Sequence, residues 1–318
     1  MDTSKIQLSS TEVQFSDKLV AVPTLELIGH YSKDELASLL AKLNAWILSA
    51  ALFPAEIEIA TLITHDQGMD EHVGVVDDVL LAALQSEFVD ASSRPIRMQP
   101  VTILLNCKRD ANPKQACAVS VRLTVGDNFF PDDPLTISIC LKSSDPAAWA
   151  DLTKARKVIS SMLEQKLLYS TFGYGFACDF EHVMEVSHTI ENLCMRYLGV
   201  DLNDPFGNYT FYMPRGFRSI NWKIGLPERR LSSLAPAQRE TLLACTTLED
   251  GVRYWKTGEK PSICDRNSTS DHQAIAEYAA LDRQLKSLKF MPPVLWMPKW
   301  RSDTYERWQN RWEEVSFD

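Results

Sequence analysis

Between Val119 and Leu141 the chain changes side-chain character at every second residue. Val119, Val121, Leu123 and Val125 alternate with Ser120, Arg122 and Thr124, and Leu135, Ile137, Ile139 and Leu141 alternate with Thr136, Ser138 and Cys140. A period of two belongs to strands that pack on one face and turn a more polar face the other way. A further apolar run covers residues 101–107, and the segments NPK and GDNFFPDDP between the runs are rich in turn formers. The middle third therefore reads as a β-meander with strands near 101–107, 117–125 and 135–141.

Helical periodicity surrounds this meander. Ser32 and Glu35 form a capping box, Tyr31 and Leu36 a hydrophobic staple, and Leu36, Leu39, Leu40, Leu43 and Ile47 one apolar stripe that Pro54 ends, which predicts a helix over 31–52. Alternation at Ile57, Ile59, Thr61 and Ile63 predicts a strand over 56–64, followed by a loop at 65–74 and a helix through Val79, Leu80, Ala83, Leu84 and Phe88. Asp145 and Pro146 start a helix with Trp149, Leu152, Ile159 and Leu163 as its buried stripe. Strands near 169–177, 217–224 and 252–255 and helices over 182–198 and 271–288 complete the pattern. Without regular βαβ alternation the class is α+β, a mixed, largely antiparallel sheet or sheets with packed helices. Residues 1–95 read as an acidic N-terminal lobe and residues 96–318 as an α+β body, either separate from the lobe or continuous with it as one domain.

The 318 residues carry a formal charge of −9, and residues 1–100 hold all of it, with 6 basic against 15 acidic side chains. No Lys or Arg occurs between Lys42 and Arg94, an interval that contains Asp66, Asp70, Glu71, Asp77 and Asp78. Such a region is a poor ligand for nucleic acid, whose binding requires cations to displace phosphate counterions. A basic protein partner fits it better, and those five residues are the candidate partner-binding surface.

The start, MDTSKIQLSS, lacks a basic segment followed by an apolar run, and the apolar stretch 43–53 is short of the roughly 20 residues a membrane span needs, so a cytoplasmic location is expected. Seven cysteines at scattered spacings suit reduced thiols. Cys178, His182, His188 and Cys194 match no standard zinc spacing and read as core or surface residues, and His65 and His72 with their acidic neighbours as a solvated loop. Gly173-Tyr174-Gly175 is a lone GxG without the third glycine or the Lys and Ser of a phosphate loop. With no GxSxG elbow either, the expectation is a chain with no catalytic residues, no metal and no cofactor. The C-terminal Trp308 and Trp312 share one helical face beside Arg307 and Arg311 and read as an amphipathic helix docked on the body.

The second half resembles the TsiV family, immunity proteins of bacterial type VI secretion systems paired with VRR-Nuc nuclease effectors. The resemblance spans roughly residues 100–318 and rests on Gly173-Tyr174-Gly175-Phe176, Met195-Arg196-Tyr197-Leu198-Gly199-Val200-Asp201, Asp204-Pro205, Phe217-Arg218-Ser219-Ile220-Asn221-Trp222, Gly258-Glu259-Lys260-Pro261, Asp265-Arg266-Asn267, Leu288-Lys289 and Arg307-Trp308. These residues read as framework: glycines for close approach, Trp222 for the core, Asn221 and Asp265 for turn or backbone hydrogen bonds. The resemblance implies a non-enzymatic protein that binds a cognate nuclease toxin and occludes its DNA-binding or active site. An effector-binding adaptor or chaperone, and a metal-dependent hydrolase, are the alternatives.

Overall fold

Thirteen consecutive residues, Leu19–Tyr31, form the strand around which the sheet is assembled. The computed structural model describes residues 13–16, 19–49, 57–64, 68–73, 77, 79–80, 82–83, 86–87, 101–107, 120–126, 135–143, 148–163, 166–177, 183–202, 217, 219–289, 303–313 and 315. Its strands are β1 (Val13–Ser16), β2 (Leu19–Tyr31), β3 (Ile57–Thr64), β4 (Gly68–Val73), β5 (Val101–Cys107), β6 (Ser120–Gly126), β7 (Leu135–Lys142), β8 (Leu167–Ala177), β9 (Val200–Asp201), β10 (Lys223–Pro227), β11 (Thr247–Glu249) and β12 (Val252–Lys256). They make one 12-stranded sheet in the order β11-β12-β10-β8-β2-β7-β6-β5-β3-β4, with β1 on β2 and β9 on β8. Among the described strands, β8 and β9 are the one parallel pair. The helices are α1 (Lys33–Ser49), α2 (Ala148–Leu163), α3 (Val183–Cys194), α4 (Pro236–Ala244), α5 (His272–Leu285) and α6 (Thr304–Gln309). The class is α+β.

The predicted meander is present as β5, β6 and β7, joined in consecutive antiparallel register. Three expectations are corrected. Residues 68–73 form a strand paired to β3 rather than a loop, because Asp70↔Leu62 and Glu71↔Thr61 continue the ladder that Thr64↔Gly68 begins. The polar face of β7 is covered as well as its apolar face, since Ser138 and Cys140 are each 1% exposed. Strand β7 lies in the sheet's interior, next to β2, and the Ser138 hydroxyl donates to the buried Glu26 carboxylate of β2 at 3.0 Å. The strand expected over 217–224 begins later, at Lys223, while Phe217 makes only an isolated bridge to Lys289.

Two apolar clusters sandwich the sheet. On one face Leu25 and Leu27 of β2 and Ile137, Ile139 and Leu141 of β7 pack against Leu36, Leu39, Leu40 and Leu43 of α1 and Leu152, Ala155, Ile159 and Leu163 of α2. The other cluster joins Ile28, Tyr169, Ile224 and Trp255 to α3, α5 and the C-terminal Trp308 and Trp312. Helix α1 starts as its sequence requires: the Ser32 amide donates to Glu35 Oε2 at 3.1 Å, and Lys166 pairs with the same carboxyl. The Lys166 ammonium and the Ser32 hydroxyl and amide hold that carboxyl down at about 2.

Partner exchange along the β2–β8 ladder explains two sequence features. Strand β7 pairs β2 as far as Thr24↔Lys142, and β1 takes over that edge at Ala21↔Val13. Pro23, in between, accepts the Ser143 amide at 3.1 Å. Its missing N–H thus faces the handover, where no strand asks for a donor. Across the ladder, β8 changes from β10 (to Phe172) to β9 (from Tyr174), leaving Gly173 in the gap. Asn221 fills this gap: its Nδ2 donates to the Tyr174 carbonyl at 3.3 Å, and its Oδ1 accepts the Trp222 amide at 2.8 Å. A Cβ on Gly173 would overlap the Asn221 carboxamide.

Gly173→Ala is therefore expected to destabilise by about 3 kcal/mol, at the upper end for overpacking, in urea denaturation. In an Asn221→Gly background the same substitution should cost less than half as much. Equal costs in both backgrounds would show that Asn221 is not the obstacle.

Candidate partner-binding surface

The described part of the acidic interval includes β3 and β4, at one end of the sheet. Asp70 and Glu71 are consecutive positions of β4, the terminal strand, and alternate between its faces by register. Asp66 and Asp78 lie outside the described residues. Asp77 is exposed and accepts the Leu80 amide at 2.9 Å, the geometry of a helix N-cap. Residues 79–80, 82–83 and 86–87 are helical, as expected, with Leu80 partly buried against the apolar cluster that contains Leu36 and Leu152, and Val79 76% exposed. One of the five candidate carboxylates thus has a local structural role, and the structure brings Asp70 and Glu71 together on a sheet edge that the sequence reading treated as loop.

Several cations elsewhere are tied into the interior. Arg156 of α2 is 2% exposed and donates to Glu249 Oε2 at 2.6 Å, while Lys223 donates to Glu249 Oε1 at 3.2 Å. Both cations lie over the Tyr254 ring, at 4.1 and 4.6 Å. Burial pushes the Glu249 carboxyl up, but Arg156 and Lys223 outweigh it and hold the group below its ordinary range. Burial, with Arg156 adding like charge, lowers Lys223. Arg311 is equally enclosed, donating to the carbonyls of Leu198 and Trp308 at 2.9 Å and to the Ser219 hydroxyl at 2.7 Å, with its guanidinium against both tryptophan rings. Thr304 Oγ1 donates to the buried Glu191 at 2.6 Å, so the C-terminal segment is docked, but its helix α6 ends at Gln309, and Arg311 and Trp312, expected on helical faces, are buried in the turn that follows. The motif residues act as framework: Arg196 grips Asp265 through Nε and NH2 at 3.0 and 2.8 Å, and Asp265 Oδ1 also accepts the Asn267 amide at 3.0 Å.

Cys178, His182 and His65 lie outside the described residues. His188 is exposed, while Cys194 is buried, donating to the Glu191 carbonyl at 3.2 Å. Among the described residues no group of three or more His, Cys, Asp or Glu is placed to hold a metal ion, and no helix is long and apolar enough to cross a membrane. Burial pushes the Cys264 thiol up to about 12 and Cys194 higher still.

No family model matches the chain, and no curated protein matches it. Among solved structures it is similar to the Pseudomonas aeruginosa T6SS protein PA0821, with a TM-score of 0.63 at 12% identity over 97% of this chain and 87% of that one. At that identity the likeness is one of fold. A second structure is the toxic C-terminal tip of CdiA from Pseudomonas aeruginosa in complex with immune protein, matched at 11% identity over 47% of this chain and 84% of that one. Its TM-score of 0.24 is too low for the superposition to bear on fold or site.

Two outcomes test this description. Asp77→Ala should cost about 1 kcal/mol of stability, and Asp77→Asn, which keeps a capping oxygen, only a few tenths. Of Cys140, Cys194, Cys245 and Cys264, only the exposed Cys245 should react with a thiol reagent at pH 8 before unfolding.

Proposed function

We propose that the chain is a non-catalytic immunity-type protein of a type VI secretion system, binding a protein toxin in the cytoplasm of the cell that makes both. We take the toxin to be a VRR-Nuc-like nuclease and its DNA-binding groove to be the surface occluded. The observation that carries this reading is the interval of 51 residues without Lys or Arg, whose carboxylates Asp70, Glu71 and Asp77 lie on or just after the sheet's terminal strand. The shared fold with a T6SS protein and the TsiV resemblance of the second half support it.

The physical logic is complementarity. A nuclease groove must be basic to replace phosphate counterions. An acidic protein surface competes for the same cations and accelerates encounter, so toxin is captured before it reaches DNA. Neutralisation needs only a surface that outlasts DNA in the groove.

Co-expression of the chain with a candidate VRR-Nuc-like nuclease toxin should restore growth and yield a complex that co-purifies. Co-purification without rescue would indicate an adaptor or chaperone instead, and the absence of both rescue and complex would overturn the reading. Asp70→Lys, Glu71→Lys and Asp77→Lys together should slow association about tenfold or more at low ionic strength and flatten its salt dependence. Unchanged kinetics would remove the acidic segment from the interface.

A further inference from the structure

The main path of the sheet ends in two strands, with the short β1 and β9 lying off it, and the two ends differ as templates. Strand β11 has three residues and is closed by the Asp250-Gly251 turn, both at positive φ, 50° and 77°. Strand β4 has six residues, Gly68–Val73, and among the described residues β3 is its one paired neighbour. In a regular antiparallel pair successive residues direct their N–H and C=O alternately towards the partner and away from it. One of Asp70 and Glu71 therefore points both backbone groups outward, a template for another strand.

The residues on this edge restrict what can join it. Strand β4 has no Lys and no Pro, two common devices that keep an edge from pairing. Its two central residues are acidic, so a second copy adding antiparallel about the strand's middle would set Asp70 against Glu71, like charge against like. A strand bearing Lys or Arg meets opposite charges at the same positions. We propose that β4 receives an extended, Lys- or Arg-bearing segment of the toxin as an additional antiparallel strand. This rests on the binding reading above and assigns it a mode: backbone hydrogen bonds supply affinity, and the two carboxylates select the partner and exclude self-pairing.

The test uses the full chain and the candidate nuclease toxin, inactivated by mutation, once the wild-type pair has been shown to bind. If that pair fails to bind, it is the functional reading that fails. Asp70→Pro and Glu71→Pro are each compared with Ala at the same position, which removes the charge but keeps the N–H. At the outward-facing position proline should leave Tm close to that of the Ala variant and weaken binding at least a further tenfold. Binding equal to that of the Ala variant would overturn the proposal. Should both proline variants fail to fold, amide exchange on the wild-type complex decides. New protection at Asp70 or Glu71 supports strand addition, and unchanged exchange across 68–73 overturns it.

Discussion

The antiparallel ladder between β2 and β8 is the interaction on which the rest of the molecule depends. It runs from Val20↔Ala177 to Gly29↔Leu167, and it alone joins the strands on the β7 side of the sheet to those on the β10 side. Near Pro23↔Tyr174 and Thr24↔Gly173 both outer edges of this ladder change partner. A proline tolerates the first exchange because no donor is needed there. A glycine and the Asn221 carboxamide accommodate the second. The Asn221-Trp222 pair in the family-like motif is thus a patch on a fork in the sheet: Asn221 supplies the bond to Tyr174 at the gap, and Trp222 packs its ring at 5.4 Å from Phe172 and 5.7 Å from Trp149.

The distribution of charge follows from the same architecture. Arg156, Lys223, Lys289 and Arg311 are spent inside the body, where carboxylates, carbonyls and aromatic faces satisfy them. Lys289 is a clear case: burial lowers its ammonium, and Asp282 at 2.8 Å and the Gln309 carbonyl at 3.2 Å compensate. Removing one partner of such a pair leaves a desolvated charge, so these cations are fixed in place and withdrawn from the surface. The near-neutral C-terminal two-thirds therefore offers a partner less positive charge than its composition suggests.

Much of this was legible in the sequence. The meander, the capped first helix and the docked C-terminal helix all rest on local signals, either periodicity or a cap, and local signals survive into the fold. Strand β2 was not legible. Leu19–Tyr31 is buried on both faces, so it lacks alternation, and Pro23 in its middle argues against a central strand. Only the partner exchange across the ladder removes that objection, and it is a long-range fact. Strand β4 was missed for a related reason: an edge strand needs no buried face, so Asp70-Glu71-His72 carries loop composition. The burial of Arg156 and Arg311 was equally hidden, since apolar-stripe reasoning assigns charge to the outside. Of the candidate surface, the acid excess was legible and the strand beneath two of its residues was not.

The separation of β2 from β8 along the chain also governs how the protein is made. Roughly 140 residues lie between the two halves of the ladder, and at a synthesis rate of roughly 5–20 residues per second the ribosome needs on the order of 10–30 s to supply the second half. During that interval a strand that ends buried on both faces has at most β1 and then β7 to pair with. The N-terminal third, which carries the whole formal charge of −9, thus leaves the ribosome before its ladder can close, and like charge disfavours contact between chains over that interval.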